Sequence, residues 1–319
     1  MDLLISQGVI VMALPVELAL HEKVPFLILG MKELKDPLQA LYDLPHEISQ
    51  EHPSSIVLGG FGATGCPSLT HHPEARAMRD SVYSAVLPSF AASFPGRRLE
   101  VLADRFGIRR KGSSVSAELW HRDVGPKADG DIIYGGWVNL DPPGSPPQYF
   151  SCIPGNILPN DVNPLGFAKF PKTEHAALEK AFKITGKFAI PPGHIIIFNQ
   201  SIAHKITGST AKMTTFRQYF GWRITDRVEP VYDKESFITK QSMPPLPSGQ
   251  IAPTYAKLHL ACWRPRLVDL STRFREEFVE KAGKKTGIVY RELPGLVEAG
   301  LPFPAYTPKE TAMFYPILL

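Results

Sequence analysis

Residues 190–204 read IPPGHIIIFNQSIAH, a proline-glycine turn followed by isoleucines, a short polar bend and a histidine. The run Ile195–Phe198 is apolar, with three β-branched isoleucines and one aromatic residue, and its length suits a buried strand. We therefore predict a strand over residues 193–199, with His204 just beyond it. A second predicted strand follows at 213–224, where alternate residues face one side.

The region from residue 99 to 226 has a sequence pattern typical of β-proteins. Short apolar segments alternate with turns rich in proline, glycine and asparagine, such as DPPGSPP at 141–147. Such spacing favours an all-β sandwich or barrel. The predicted strands cover 99–102, 115–121, 131–140, 149–153, 193–199 and 213–224. One helix is predicted around 173–182.

The flanking regions divide the chain into three predicted parts. Residues 1–98 form an N-terminal α/β flanking segment, with strands at 5–14, 26–29 and 55–58 and a helix from Pro73 to Pro88. Residues 99–226 form the core. Residues 227–319 form a C-terminal helical extension packed on the core. A helical stripe in the extension consists of Leu267, Leu270, Phe274 and Phe278.

Composition excludes several classes of protein. Hydrophobic residues make up 44% and charged residues 21% of the 319 residues, which argues against disorder. The 31 prolines argue against long helical bundles. The formal charge of +4, from 35 Lys plus Arg and 31 Asp plus Glu, is too small to indicate nucleic-acid binding by itself.

The sequence also predicts a location. It has no apolar run of about 20 residues, and its start lacks a signal-peptide pattern, so we expect no membrane association. The three cysteines, Cys66, Cys152 and Cys262, contain no C-x-x-C pair. This favours a reducing compartment, and hence an intracellular, cytoplasmic protein.

The histidines and one carboxylate form the candidate metal site. His121 and Asp123 lie two residues apart at the end of a predicted strand, and in extended chain their side chains project to the same side. Together with His204 they would supply two imidazoles and one carboxylate. On one face of an octahedral metal this set leaves three positions open, which suits non-haem Fe(II).

An arginine follows on the next predicted strand. Arg217 shares a face with Thr215 and Tyr219, 13 residues after His204. A buried guanidinium is costly without an anionic partner, and its planar fork pairs with a carboxylate in two places.

These residues together resemble the Fe(II)/2-oxoglutarate-dependent dioxygenases, and within them the phytanoyl-CoA dioxygenase-like group. The matching features are His121–Asp123, the segment GGWVNLD at 135–141, CIPGN at 152–156, the IPPGHIIIF segment, His204 and Arg217. The resemblance implies a double-stranded β-helix, or cupin-like jelly-roll, with flanking helices. It covers residues 99–226 well and the N-terminal third loosely.

The resemblance also implies roles for particular residues. His121, Asp123 and His204 would hold Fe(II), and Arg217 would hold the far carboxylate of 2-oxoglutarate, with Arg223 the next candidate. Trp137 would form a wall of the cofactor pocket, with core packing as its alternative, and Asn139 and Tyr219 would donate hydrogen bonds to 2-oxoglutarate. The implied activity is a hydroxylase-type oxidation coupled to formation of succinate and CO2.

Two other functions stay open at this point. A jelly-roll can be retained as a non-catalytic scaffold for assembly or binding. A nucleic-acid-directed oxygenase is the other alternative, because residues 255–292 carry nine Lys or Arg and five Asp or Glu. The solvated face of an amphipathic helix is the favoured explanation of these charges. The sequence indicates neither the primary substrate, small or macromolecular, nor the oligomeric state.

Overall fold

In the computed structural model the described residues are 2–24, 56–58, 73–101, 105–109, 111–112, 114–115, 117–123, 130–157, 168–228, 307, 309 and 316–319. The α-helices in these ranges are α1 (Asp2–Ser6), α2 (Pro73–Ser93) and α3 (His175–Thr185). Short 3-10 helices cover Val16–Leu18, Leu20–Lys23 and Lys172–Glu174. No helix in the described ranges combines the length and the apolar character that crossing a bilayer requires.

The strands dominate the described chain. They are β1 (Val9–Ala13), β2 (Ile56–Leu58), β3 (Arg98–Val101), β4 (Arg105–Arg109), β5 (Ser114–Val115), β6 (Glu118–Arg122), β7 (Ile132–Asn139), β8 (Gln148–Ile157), β9 (Ala168–Lys169), β10 (Phe188–Ile190), β11 (His194–Asn199), β12 (Ile202–Ile206), β13 (Ser209–Thr210), β14 (Thr215–Thr225) and β15 (Ile317–Leu318). Every strand pairing among them is antiparallel.

The strands form two main sheets. The larger sheet has the order β1-β11-β7-β14-β3-β15, with β4 also pairing with β14 and with β2. The smaller sheet has the order β10-β8-β12-β6-β9, and β13 pairs with β5 in a separate ribbon. From β6 to β8, and again from β10 to β12, each strand lies in the other sheet from the one before it, and β14 returns to the larger sheet. This crossing between two sheets is the arrangement of a double-stranded β-helix. The predicted jelly-roll fold is confirmed.

An apolar cluster fills the space between the two sheets. The larger sheet contributes Val9, Trp137, Ile196 and Phe198, and the smaller sheet contributes Cys152, Ile190 and Ile202. Side chains of paired residues lie on the same face of an antiparallel sheet. The pairing of Tyr219 with Trp137, and of Arg217 with Asn139, therefore places these four side chains on the interior face.

Helix α2 covers the outer face of the larger sheet. Its buried residues recur at helical spacing and include Ala75, Met78, Val82, Val86 and Phe90. The predicted end at Pro88 is wrong, because the helix continues to Ser93. The ring of Phe90 lies 5.6 Å from that of Tyr134 and 5.5 Å from that of Trp222. This packing offsets the hydrogen bond that Pro88 cannot donate.

The smaller sheet carries α3 on its outer face. Leu178 and Phe182 of this helix pack with Trp120 of β6, and the Trp120 and Phe182 rings meet edge to face at 5.5 Å. The sequence predicted this helix at nearly the observed position.

Three local predictions differ from the structure. Residues 2–6 form α1, where the sequence predicted a strand from Ile5. The predicted polar bend is present at Gln200 and Ser201, but His204 after it lies within a strand, β12, that was not predicted. The final residues form β15 beside β3, although a helical extension was predicted there. The predicted strand at 26–29 and the helix containing Leu267 to Phe278 lie outside the described residues.

Candidate metal centre and anion pocket

Two neighbouring strands of the smaller sheet bring His121, Asp123 and His204 together. His121 lies on β6 and His204 on β12, and their Cα atoms are direct partners across the two strands. The chain leaves β6 immediately after Arg122, and the backbone N–H of Asp123 donates to the Gln200 carbonyl at 3.0 Å. That bond fixes Asp123 beside the two imidazoles.

The ligand atoms of the three residues all lie within 4.8 Å of one another. Asp123 Oδ1 is 3.6 Å from His121 Nε2, and Asp123 Oδ2 is 3.4 Å from His204 Nε2. Adjacent ligands about 2.1 Å from a metal are about 3 Å apart, so small rotations of the side chains would close around one ion. The donor set of two nitrogens and one oxygen fits a transition metal with open positions.

Backbone carbonyls orient both imidazoles. His121 Nδ1 lies 2.7 Å from the Leu119 carbonyl oxygen, and His204 Nδ1 lies 3.0 Å from that of Ile202. A carbonyl only accepts, so Nδ1 carries the hydrogen and donates it. Each Nε2 therefore presents its lone pair to the centre of the cluster, as metal ligation requires.

Burial and charge act in opposite directions on the two histidines. Burial, and then the neighbouring His204, lowers the pKa of His121. Burial also acts to lower the pKa of His204, but Asp123, the Ile202 carbonyl and Glu118 together raise it above its ordinary value. The carboxylates beside His204 thus favour a positive charge at this position.

Arg217 lies on the facing wall of the barrel. Its guanidinium carbon sits 3.8 Å from the centre of the Trp137 ring, and its Nε donates to Gln148 Oε1. Gln148 holds the Nε side of the guanidinium group, and the Trp137 ring covers its face. The predicted pocket residue Trp137 is therefore in direct contact with the predicted anion anchor, as a cation–π pair.

A buried amide-carboxylate network holds Gln148 in turn. Its Nε2 donates to Asn139 Oδ1 at 2.9 Å and to Asp141 Oδ2 at 2.8 Å. Asp141 Oδ1 accepts from the Phe216 backbone N–H at 2.7 Å. Burial raises the pKa of Asp141, although these two hydrogen bonds and Arg217 act to lower it.

Asn139 and Tyr219 occupy different parts of this wall. Asn139 is fully buried, donates to the Ile190 carbonyl at 2.9 Å and accepts from the Asp141 backbone N–H at 3.0 Å. Its contacts make it a support for Gln148. Tyr219 lies over Gly107, where an added Cβ would come within 2.7 Å of the tyrosine ring. The absence of a side chain at Gly107 thus leaves room for the Tyr219 ring. Their hydrogen bonds to 2-oxoglutarate stay predictions.

The structure adds a second arginine that the sequence did not indicate. Arg109 of β4 pairs with Thr215, which places it on the interior face beside Arg217. Its Nη2 donates to the Ser209 carbonyl and to Ser209 Oγ. Burial and then Arg217 lower the pKa of Arg109, because two guanidinium groups repel each other at short range.

The earlier alternative anchor, Arg223, lies at the far end of β14. It is buried beside two carboxylates, with nitrogen–oxygen distances of 3.7 Å to Glu100 and 3.7 Å to Asp131. These carboxylates lie beside the Arg223 guanidinium, whereas Arg217 contacts an amide and a ring. Asp141, on which Arg217 also acts, already accepts hydrogen bonds from Gln148 and the Phe216 N–H. Arg217 is therefore the better placed of the two to bind an anion.

After Gln148 and Arg109, Glu118 is the third residue of this region that the sequence did not indicate. Its Oε2 lies 3.7 Å from His121 Nε2, and 51% of its side chain is exposed. Partial burial, and then Asp123, raises the pKa of Glu118, while His204 and Lys169 act to lower it. A second carboxylate therefore stands at the rim of the metal cluster.

Known proteins resemble this chain only distantly. No family profile and no curated protein matches the sequence. EctD from S. alaskensis, solved with 2-oxoglutarate and 5-hydroxyectoine, aligns over 72% of this chain and 77% of its own, with 16% identity and a TM-score of 0.46.

Two further solved structures align in the same way. The non-haem alpha-ketoglutarate-dependent carbocyclase SnoK from nogalamycin biosynthesis shares 13% identity over 74% of this chain and 86% of its own, with a TM-score of 0.42. AviO1 from Streptomyces viridochromogenes Tue57 shares 14% identity over 73% of this chain and 96% of its own, with a TM-score of 0.41. Nothing about the chemistry of this chain follows from likenesses at these identities and TM-scores.

Proposed function

We propose that the protein is an Fe(II)- and 2-oxoglutarate-dependent dioxygenase that performs a hydroxylase-type oxidation coupled to formation of succinate and CO2. The observation that carries this proposal is the cluster of His121, Asp123 and His204, whose ligand atoms lie within 4.8 Å of one another inside a jelly-roll. Membership of the phytanoyl-CoA dioxygenase-like group is part of the same proposal.

The cluster would hold the iron through His121 Nε2, His204 Nε2 and the Asp123 carboxylate. Two imidazoles and one carboxylate on one face leave positions for further ligands. When bound, Fe(II) supplies the oxidising chemistry with 2-oxoglutarate and dioxygen, and the protein supplies position and surroundings. The Leu119 and Ile202 carbonyls keep both imidazoles in the tautomer that ligation needs.

Arg217 would bind the far carboxylate of 2-oxoglutarate. Its Nε is engaged by Gln148 and its face by Trp137, so the terminal amino groups form the remaining donor edge. A planar guanidinium held in this way can pair with a carboxylate through two parallel hydrogen bonds. The positive charge of nearby Arg109 favours a dianion over a monoanion at this end of the pocket.

Aromatic and apolar side chains would exclude water between the two ends. The Phe198 and Phe150 rings lie 5.4 Å and 5.6 Å from the His204 ring. Phe198 and Trp137 belong to the same interior cluster, which connects the metal centre with the wall that carries Arg217. Interactions between charges are stronger in such a dry setting than in water.

Metal analysis and product analysis test the proposal. The wild type should retain about one Fe(II) per chain after anaerobic loading and desalting, and it should form succinate from 2-oxoglutarate in air. His204→Ala should lose most of the iron and all of the succinate formation, because two remaining ligands bind Fe(II) weakly.

The matched control is His194→Ala, which removes a half-buried histidine of β11 whose Nδ1 contacts the Pro192 carbonyl. This variant should behave like the wild type. Equal iron retention by His204→Ala and the wild type would contradict the proposed centre. Iron binding without any succinate formation would favour the non-catalytic scaffold.

A further inference from the structure

An irregularity in β6 changes the direction of Glu118. His121 pairs with His204, but Glu118 pairs with Ile206, so three residues of β6 span the same length as two of β12. Leu119 and Trp120 together oppose Lys205, which is a β-bulge. Residues three apart on a regular strand point to opposite faces, and the extra residue reverses this. Glu118 and His121 therefore share a face.

Contacts on the outer face hold the bulge in place. Trp120 is 1% exposed, and its Nε1 donates to Glu179 Oε1 of α3 at 2.8 Å. Lys205 lies over the Trp120 ring, 4.8 Å from its centre, and its Nζ lies 2.6 Å from Glu179 Oε1. The opposing residues of the bulge are thus fixed to one carboxylate of the helix. The position of Glu118 therefore follows from a β-bulge that contacts with α3 stabilise.

The surroundings of Glu118 combine negative charge with an apolar surface. Its cross-strand partner Ile206 lies two residues from His204 on β12, is 40% exposed and shares the interior-facing side with it. Asp123 adds a second carboxylate to the same rim. Two groups of opposite sign act on Glu118 from the described neighbouring strands: the His204 imidazole of β12, and Lys169 of β9, which pairs with His121.

We propose that Glu118 binds a positively charged nitrogen of the primary substrate, while Ile206 contacts the adjoining alkyl part. This assignment of the substrate class, an amine or quaternary ammonium compound, rests on the proposed oxygenase function. The carboxylate stands 3.7 Å from a metal-ligating nitrogen, so the carbon presented to the metal lies a few bonds from the cationic nitrogen. Glu118 is a specificity-determining residue in this arrangement.

Two other roles for Glu118 make different predictions. A fourth metal ligand would have to approach all three partners, but the ligand atoms within 4.8 Å of one another come from His121, Asp123 and His204 and do not include Glu118. A carboxylate that serves only to balance Lys169 would not discriminate between charged and neutral ligands. Metal content separates the first role from our proposal, and ligand charge separates the second.

Saturation-transfer NMR on the full-length, Zn(II)-loaded protein tests the proposal. Zinc accepts the same ligands and is diamagnetic. The probes are choline and 3,3-dimethylbutan-1-ol, which have the same shape but differ in charge, and neither carries an amine that coordinates zinc. Choline should give the stronger saturation signal and bind about three- to tenfold more tightly to the wild type than to Glu118→Gln. The neutral probe should not distinguish these proteins.

Two further variants sharpen the result. Lys169→Met removes the nearby positive charge and should strengthen choline binding, and Glu22→Gln, in an exposed 3-10 helix, should leave it unchanged. Equal choline binding by the wild type and Glu118→Gln, or weaker binding by Lys169→Met, would overturn the proposal. Zinc content is measured on every sample: its loss in Glu118→Gln would make Glu118 a ligand, whereas no zinc in the wild type would refute the metal centre itself.

Discussion

At the scale of single residues, the two ends of the site are held by different means. The imidazoles of His121 and His204 are fixed by carbonyls two residues earlier in their own strands. Arg217 is fixed by a side chain from another sheet, because Gln148 reaches it from β8. The proposed metal centre is therefore a local property of two strands, whereas the proposed anion pocket depends on how the two sheets pack.

Substitution of Arg217 tests the anion pocket directly. Arg217→Lys keeps the charge but loses the two-pronged geometry, so it should weaken binding of 2-oxoglutarate, and Arg217→Met should weaken it more. Loss of a charge-assisted bidentate contact costs about 2–4 kcal/mol, or roughly 30- to 1000-fold in affinity. Calorimetric titration of the anaerobic Fe(II)-loaded protein with 2-oxoglutarate measures this change, and iron content should not change.

The control is Lys187→Met, which removes an exposed positive charge between α3 and β10. It should bind 2-oxoglutarate as the wild type does, so a general effect of net charge can be separated from a local one. Full binding by Arg217→Met would show that the anchor lies elsewhere. Arg109 would then be the next candidate, because it faces the same interior while Arg223 is matched by Glu100 and Asp131.

Sequence reasoning recovered the residues that strand periodicity connects. His121 and Asp123 are two apart, and Arg217 shares its face with Thr215 and Tyr219, so the alternation of a strand predicts both groupings. It could not recover Gln148 or Arg109, because their link to Arg217 depends on pairing between strands that are distant in sequence. Glu118 could not be recovered for a different reason. In a strand without a bulge, the alternation of side chains places Glu118 on the opposite face from His121.

At the scale of elements, α3 stabilises the irregular strand that carries His121, a proposed metal ligand. Glu179 accepts from the Trp120 indole and from the Lys205 ammonium group, one on each side of the bulge. These hydrogen bonds, that of Lys205 foremost, lower the pKa of Glu179 below its ordinary value of 4.5. The charged form of Glu179 is thus favoured by folding.

This linkage predicts how stability depends on pH. A lowered pKa in the folded state contributes stability that is fully present above pH 4.5 and is lost as the pH falls through the folded value. Glu179→Gln should therefore have a lower urea midpoint than the wild type at about pH 7, and the difference should shrink below about pH 4.5. Urea titrations followed by tryptophan fluorescence at both pH values measure this.

The exposed variant Glu22→Gln is the control for that series and should stay close to the wild type at both pH values. A difference in urea midpoint between Glu179→Gln and the wild type that does not change with pH would contradict this. It would mean that the amide disturbs packing and that the charge of Glu179 does not contribute to stability. In that case packing alone would stabilise the bulge.

Element boundaries were the least predictable feature of the fold. The predicted end of α2 at Pro88 is wrong because burial of Phe90 beyond the proline outweighs the missing hydrogen bond. Strand β12 was not predicted because its apolar residues Ile202 and Ala203 are few and are followed by the site histidine. Its pairing with both β6 and β8 determines its conformation, and such pairing is not visible in a local pattern.

At the scale of the whole molecule, both ends of the described chain extend the larger sheet. Strand β1 pairs with β11 at one edge, and β15 pairs with β3 at the other. The core strands thus depend on segments from the predicted N-terminal and C-terminal parts. The boundaries at 98 and 226 stay predictions, and these pairings show that the core sheet draws on residues beyond both of them.

Removal of residues 316–319 should therefore destabilise the barrel without reducing the amount of iron that the protein binds. Ile317 and Leu319 pack against the larger apolar core, and the Leu319 N–H donates to the Arg97 carbonyl at 2.8 Å. Loss of this partly buried apolar surface costs about 1–3 kcal/mol, which corresponds to a fall of several degrees in Tm. Calorimetry measures the fall, and iron content of the truncated protein should equal that of the wild type.

Single substitutions separate strand packing from chain length in this prediction. Ile317→Ser should reproduce much of the fall in Tm, because the side chain contacts the core, whereas Leu318→Ser should cause little change, because Leu318 is 64% exposed. An unchanged Tm after the deletion would show that β3 is stable as an edge strand without β15. If the deletion instead abolished iron binding, the C-terminal strand would be coupled to the metal centre. The coupling would then have to pass through β3 and β14, since β15 pairs with β3 and β3 pairs with β14.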